Sequence, residues 1–369
     1  MAEPDTSAVD VEPLLEAIEY CYEQGWTDGL PVVPPSPGLV KRFLEHTKRG
    51  PEDEIWHMPQ VYRTATVQLA AVNAAMAGCR PEYFPVVLAA LDATIDEGWP
   101  GTGGWQSTTG GGPMHIVNGP VRNEFGFNAK GNVFGQGFRP NATIGRAIRL
   151  IIMNVFGIVP HVLDQSTQGT PGKYTMCIAE NEEESPWEPL HVELGFPPEA
   201  STVSAMHVRS SEFVDNRQTA VAEQLLNDIA DTISRTGTVI RRQQRCCVVF
   251  GPEHANLIAN QGFSKLDVKR YLAEHSGRRA SDLRRAGKGS AQTTGGLGSS
   301  QAPVPGAPDM STFASPSAGD QGDDEFVPMI DSPDDLLVVV AGAGNAGVTT
   351  VCHPLGFPRH IPGRALVER

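Results

Sequence analysis

A chain of 369 residues is longer than one average domain and suggests two, with enough length to bury a substantial core, which excludes disulfide miniproteins and short peptides. Hydrophobic residues make up 40% and charged residues 20%, the balance of a folded globular protein, while 39 glycines and 30 prolines make the chain rich in loops. Lys+Arg 29 against Asp+Glu 43 leaves a net charge of −14, so bulk attraction to nucleic acid or anionic lipid is absent, and neither is an expected partner.

The opening residues, MAEPDTSAVDVEPLL, are acidic and lack the basic and apolar stretches of a secretory leader, so the expected location is the cytoplasm. Val11, Leu14, Leu15, Ile18, Cys21 and Tyr22 recur at helical spacing, and Ser36-Pro37 reads as N-cap and first residue of a second helix through Leu44. Between them, GWTDGLPVVPP reads as a turn, a short strand and a proline stop. The Ala-rich segment from Thr64 to Gly78, and the segment from Pro81 to about Asp96, are apolar on most faces and predict interior helices. GWPGTGGWQSTTGGG has no apolar period and predicts a loop, followed by a short buried strand in PMHIVNGP. Asn141 is the expected cap of the helix ATIGRAIRLIIMNVFG, ended by Gly157. The most apolar run, Leu150 to Val159, carries Asn154 and is about half a bilayer span, so no membrane crossing is expected.

Beyond the acidic stretch AENEEESPWEPLHVE, strands and helices alternate: STVSAMHV, NRQTAVAEQLLNDIADTISRTG, RCCVVFG, PEHANLIANQG and SKLDVKRYLAEHSG, the last with a Ser264/Asp267 capping box. Residues 286–325 are dominated by Gly, Ser, Pro and Ala and predict a disordered insertion, followed by the apolar strand in DDLLVVVAGAG. The expected fold is α/β or α+β, two mixed layers with helices packed on short-stranded sheets, and not a Rossmann dinucleotide fold. The expected domains are 1–200 and 201–285 plus 326–369. Six cysteines without a CxxC pair predict buried thiols and no disulfide.

Several constellations could carry chemistry. Gly342, Gly344 and Gly347 form a GxGxxG directly after a strand, the pattern that cradles a dinucleotide pyrophosphate. The β-branched Val348, Thr349, Thr350 and Val351 that follow oppose the helix such a fold requires, so a glycine turn between strands and a backbone nest for a substrate anion are the competing readings. Arg139, Arg146 and Arg149, with Asn141, gather at a helix start where backbone amides favour an anion, which suits a carboxylate or phosphate; pairing with surplus carboxylates such as Glu180 to Glu184 is the alternative. His115 follows a loop bearing Trp105, Gln106, Ser107 and Thr108 and reads either as a general base beside a substrate-binding loop or as a hydrogen-bonded core histidine. Cys352, followed by His353, reads as a reactive thiol or a buried filler, and Asp28 as an acid/base group or a turn residue. Glu182, Glu183, Glu184, Glu188 and His191 offer metal-ligand atoms, but no HExxH-type spacing occurs. The sequence assigns no cofactor and no metal.

The blocks EQGWTDGLPVVPP, AAVNAAMAGCRPEYFPVV, IVNGPV, GFRPNATIGRAIRL and IAENEEESPWEPLHVE resemble a family of bacterial proteins of uncharacterised function over residues 11–196. The tail, through HPLG at 353–356, is similar to the UGSC-type (seleno)protein family, although that family's Cys or selenocysteine redox motif is absent here. These resemblances imply a two-part, enzyme-like protein and name no reaction. The expectation is an enzyme of small-molecule metabolism acting on an anionic substrate, a carboxylate or thioester, with lyase, hydrolase and reductase chemistry all open. His115, Cys352 and Asp28 are the candidate catalytic groups, and His115 and Cys352 could pair as imidazole and thiol. The competing class is a non-catalytic metabolite-binding subunit of a redox complex. A second copy of the chain or a redox partner protein is compatible with either.

Overall fold

The structure is a computed structural model that describes residues 12–96, 104–237, 245–287, 322–354 and 362–368. Helices and mixed sheets make an α/β fold, divided into two compact units. Unit 1 comprises Met1–Glu180, Leu194–Arg209 and Leu355–Arg369, and unit 2 comprises Asn181–Glu193 and Ser210–Pro354. The C-terminal residues from 355 onward, expected in the second domain, therefore fall in the first unit. Most of the expected disordered insertion lies outside the described residues. Among the described residues, no helix is long and apolar enough to cross a membrane.

Unit 1 opens with α1 (Glu12–Glu23) and α2 (Pro37–Leu44), the latter capped by Ser36, whose hydroxyl accepts from the Leu39 amide at 3.2 Å. The apolar stripe expected to bury α1 is largely outside: Leu14 is 51% exposed and Leu15 48%, and only Cys21 is buried. A hairpin of β1 (Glu54–Met58) and β2 (Arg63–Thr66) leads into α3 (Val67–Met76), and a 3-10 turn at Pro81–Tyr83 leads into α4 (Phe84–Asp96). Both α3 and α4 are interior helices, apolar around most of their circumference. The strand β3 (Gly112–Asn118) is buried along its whole length and is followed by α5 (Val121–Phe125).

α6 (Arg139–Asn154) starts two residues before the expected cap, with Phe138 at the N-cap position. Asn141 is buried inside the first turn, where its amide Nδ2 donates to the carbonyls of Asn128 (3.0 Å) and Cys177 (3.1 Å). Its Oδ1 accepts from the Asn128 amide at 2.9 Å. A helix can start at Arg139 because Pro140 fixes its own φ near the helical value and gives up an amide that would have no helical partner.

β3 pairs in parallel with β4 (Cys177–Ala179) and antiparallel with β5 (Thr202–Asp215). The register sets Pro113 opposite His207 and His115 opposite Ala205. Directly opposed residues share a face, and alternate residues along a strand return to it, so His115 and His207 lie on the same face. Val117 and Ala205, also on that face, belong to the core cluster built with α3, α4 and α6.

In unit 2 a short α7 (Leu190–Glu193) precedes the second half of β5, then α8 (Ala222–Ile233), β6 (Cys246–Phe250), α9 (Pro252–Asn260) and α10 (Lys265–His275). The capping box at the start of α10 is present, with Ser264 and Asp267 each accepting from the other's backbone amide. A small hairpin of β7 (Gly277–Arg279) and β8 (Phe326–Pro328), with α11 (Ala280–Arg285), precedes β9 (Leu336–Val340) and β10 (Val348–Pro354). β6 runs between β9, parallel to it, and β10, antiparallel. The last strand, β11 (Gly363–Leu366), pairs antiparallel with β5 in unit 1.

Candidate functional site

The three arginines of α6 do not form one cluster. Arg146 is locked to Asp28 by two hydrogen bonds of 2.7 and 2.8 Å and also donates to the carbonyls of Leu30 and Pro31. Asp28 meanwhile accepts from the Leu30 amide, so it is a turn residue and the anchor of Arg146. Arg139 points elsewhere, its Nε donating to the Gly78 carbonyl at 2.9 Å. Arg149 is buried and reaches Asp164 at 2.7 Å through Nη2. The carboxylates that pair with the α6 arginines are thus Asp28 and Asp164, not the Glu180 to Glu184 run.

Asp164 sits at the centre of a network in the loop between α6 and β4. Lys173 Nζ donates to both carboxylate oxygens, at 2.6 and 2.8 Å, and contacts the Ser166 hydroxyl, which donates to Asp164 Oδ1. Burial by itself would raise the Asp164 carboxyl, but the hydrogen bonds from Lys173 and Ser166 and the Lys173 charge outweigh it and hold the group at about 2. Two cations therefore surround one carboxylate, leaving one positive charge in excess. Arg149 Nη1 is buried and has no hydrogen-bond partner among the described residues.

Trp105 and His207 complete this region. The Trp105 indole packs edge-on against the His207 ring at 4.9 Å and against Trp56 at 6.3 Å, and its Nε1 is a second buried donor without a partner among the described residues. Burial, followed by the charges of Arg149 and Lys173, pushes His207 down to about 3, so its ring is neutral. On the same sheet face His115 is also neutral, pushed down to about 4 by burial, an effect partly offset by the Ala90 carbonyl. The Thr94 hydroxyl donates to the Ala90 carbonyl at 2.6 Å, which leaves its oxygen to accept from His115 Nε2 at 3.0 Å. That arrangement puts the ring proton on Nε2 and a bare, buried lone pair on Nδ1.

The glycine-rich loop serves this packing. A Cβ on Gly111 would lie 2.7 Å from the His207 ring, so glycine is what lets the loop close on the imidazole. Ser107 and Thr108 work through their carbonyls: Ser107 accepts from the Gly110 amide at 3.3 Å, which tightens the loop, and Thr108 accepts from the Thr167 amide at 3.0 Å, which fastens it to the Asp164 segment. Gln106 is half-buried in the same loop.

The remaining expected groups lie in unit 2. Gly342, Gly344 and Gly347 form the turn from β9 to β10, so a strand follows the glycines where a dinucleotide fold has a helix. A Cβ on Gly347 would lie 2.6 Å from His254 Nε2, so this glycine serves close packing. Gly344 lines a pocket with Glu183, Glu184 and Glu253, whose charges oppose a pyrophosphate. These features favour the glycine turn between strands over the dinucleotide reading. Cys352 is fully buried in β10, and burial pushes its thiol above its ordinary value, the reverse of what a nucleophile paired with His115 requires. Among the described residues, no three His, Cys, Asp or Glu side chains are grouped to hold a metal.

Asp164, Ser166, Lys173 and His207 are the residues that sequence reasoning passes over. LDQSTQGTPGKY carries no motif spacing, and only the alternation in STVSAMHV places His207 in a buried strand. Comparison with known proteins adds no relative: no family model, no curated protein and no solved structure matches the chain.

Proposed function

We propose that this protein is an enzyme of small-molecule metabolism that binds the carboxylate of a small acid or thioester substrate at Arg149 and Trp105. The observation that carries the reading is the pair of buried N–H donors, Arg149 Nη1 and Trp105 Nε1, which have no acceptor among the described residues, beside a cluster in which Arg149 and Lys173 share the one carboxylate of Asp164. A buried donor left unpaired costs about 1–3 kcal/mol, more when charged, and a bound carboxylate relieves that cost at both atoms. Ser166 and Lys173, each partly exposed, mark the side of the cluster that meets solvent. Neutral His207, with His115 on the same face, supplies imidazoles for proton transfer to a substrate held there.

The test is thermal shift and calorimetry against a panel of small acids and thioesters, followed by product analysis on any that bind. Binding is expected to weaken at least tenfold in Arg149→Met and in Trp105→Phe, which removes the N–H and keeps the ring. If no carboxylate binds, or both variants bind as the wild type does, the assignment fails. Binding with no product from any ligand assigns the non-catalytic, metabolite-binding role.

A further inference from the structure

With its two helix-mates tied to carboxylates, Arg139 stands apart. It lies on a pocket of about 410 Å³ in unit 1, which Arg42 of α2 and Arg80, beside the 3-10 turn, also line. Neither the Arg42 nor the Arg80 guanidinium has an ion-pair or hydrogen-bond partner among the described residues, and Arg139 donates only to the Gly78 carbonyl. Glu82 is the one carboxylate in the lining, so three guanidinium groups face a single negative charge. Val33 and Leu39 give the same pocket an apolar wall. Three like charges from three separate elements repel one another, and a monocarboxylate would leave most of that repulsion in place.

We propose that this pocket binds a phosphate ester or diphosphate of a small molecule, with Arg42, Arg80 and Arg139 on the phosphoryl oxygens and the apolar part of the ligand against Val33 and Leu39. Guanidinium forks match the several oxygens of a phosphoryl group, and a dianion or trianion neutralises the excess charge. The start of α6, with no side-chain cap, adds the favourable end of a sixteen-residue helix dipole to the same side. The chain's net charge of −14 and the size of the pocket fit a small phosphorylated ligand better than a nucleic acid backbone.

The probe is inorganic pyrophosphate, titrated calorimetrically into the full chain at low ionic strength, with citrate as a carboxylate of comparable charge. One molecule of pyrophosphate is expected to bind per chain, at least tenfold more tightly than citrate. Arg42→Ala and Arg80→Ala should each weaken it about tenfold or more, consistent with a lost charge-assisted hydrogen bond. Both side chains are exposed, so the variants should keep the wild-type circular dichroism and melting temperature. Arg270→Ala, which removes an exposed arginine in unit 2, serves as the control and should leave binding unchanged. Absence of pyrophosphate binding, citrate binding of equal strength, or the same loss in Arg270→Ala as in the pocket variants would overturn the proposal. The Arg149→Met variant should bind pyrophosphate normally, which separates this site from the carboxylate site.

Discussion

Arg149 and Arg146 sit one helical turn apart on α6, yet they hold different positions in the energetics. Arg146 is satisfied: Asp28 takes two of its donors and two carbonyls take more, so its charge stabilises the fold. Asp28→Asn should destabilise the protein by about 3 kcal/mol in urea denaturation, because it strands a largely buried guanidinium. The double variant with Arg146→Met should lose less than the two single losses added together, and that coupling is read by a double-mutant cycle. The buried histidines set the acid side of the stability curve. His115 and His207 stand at about 4 and about 3 when folded, against an ordinary value near 6.5 when unfolded. Between those limits the unfolded chain binds more protons, so stability is full above about pH 6.5 and falls as the pH drops toward 4. For His115 alone the loss is on the order of 3 kcal/mol by pH 4. Urea midpoints measured from pH 7 to 4 should show this decline, and His115→Gln should flatten it; a pH-independent midpoint would refute it.

At the scale of elements, the loop before β3 and the loop after α6 meet because their glycines and carbonyls allow close approach. Gly111→Ala would drive a methyl group into the His207 ring, and should cost about 2 kcal/mol as an overpacking change while disturbing the Trp105 contact. The same substitution should shift tryptophan fluorescence, a readout that a purely local backbone effect elsewhere would not give. The capping box of α10 predicts a smaller effect, with Ser264→Ala lowering stability by about 1 kcal/mol. On α1, by contrast, Leu14→Ser should change the urea midpoint little, because that side chain is half exposed.

At the scale of the whole molecule, all six cysteines are buried thiols. Burial pushes Cys79 and Cys177 up to about 12 and moves Cys246 and Cys352 in the same direction. Alkylation at neutral pH should therefore label almost nothing in the native protein and all six thiols in guanidinium. Rapid native labelling of Cys352 would return it to the list of reactive groups. At the scale of the two units, unit 1 carries both the Arg149 and Trp105 donors and the arginine pocket, while the turn of unit 2 that most resembles a nucleotide motif is edged by glutamates.

What the sequence by itself determined is local: Ser36-Pro37 and the Ser264/Asp267 box as helix starts, the apolar α3 and α4 as interior helices, and β3, β6 and β9 as buried strands. Each of these rests on periodicity, capping or turn chemistry within a few neighbouring residues. Trp105, Arg149 and His115 were legible as candidates for the same reason, as polar or aromatic groups beside a glycine loop and at a helix start. Their partners were not. Asp164, Lys173 and His207 enter the site only through the loop closure after α6 and the β3–β5 register, and Arg42 and Arg80 join Arg139 only because α2 and α6 both pack on α3 and α2 also meets the 3-10 turn. Whether an arginine meets a carboxylate or an open pocket depends on side chains up to more than a hundred residues away, as Asp28 and Arg146 show, and no local pattern encodes that distance. Only the tertiary structure decided which of these charges meet a carboxylate and which do not.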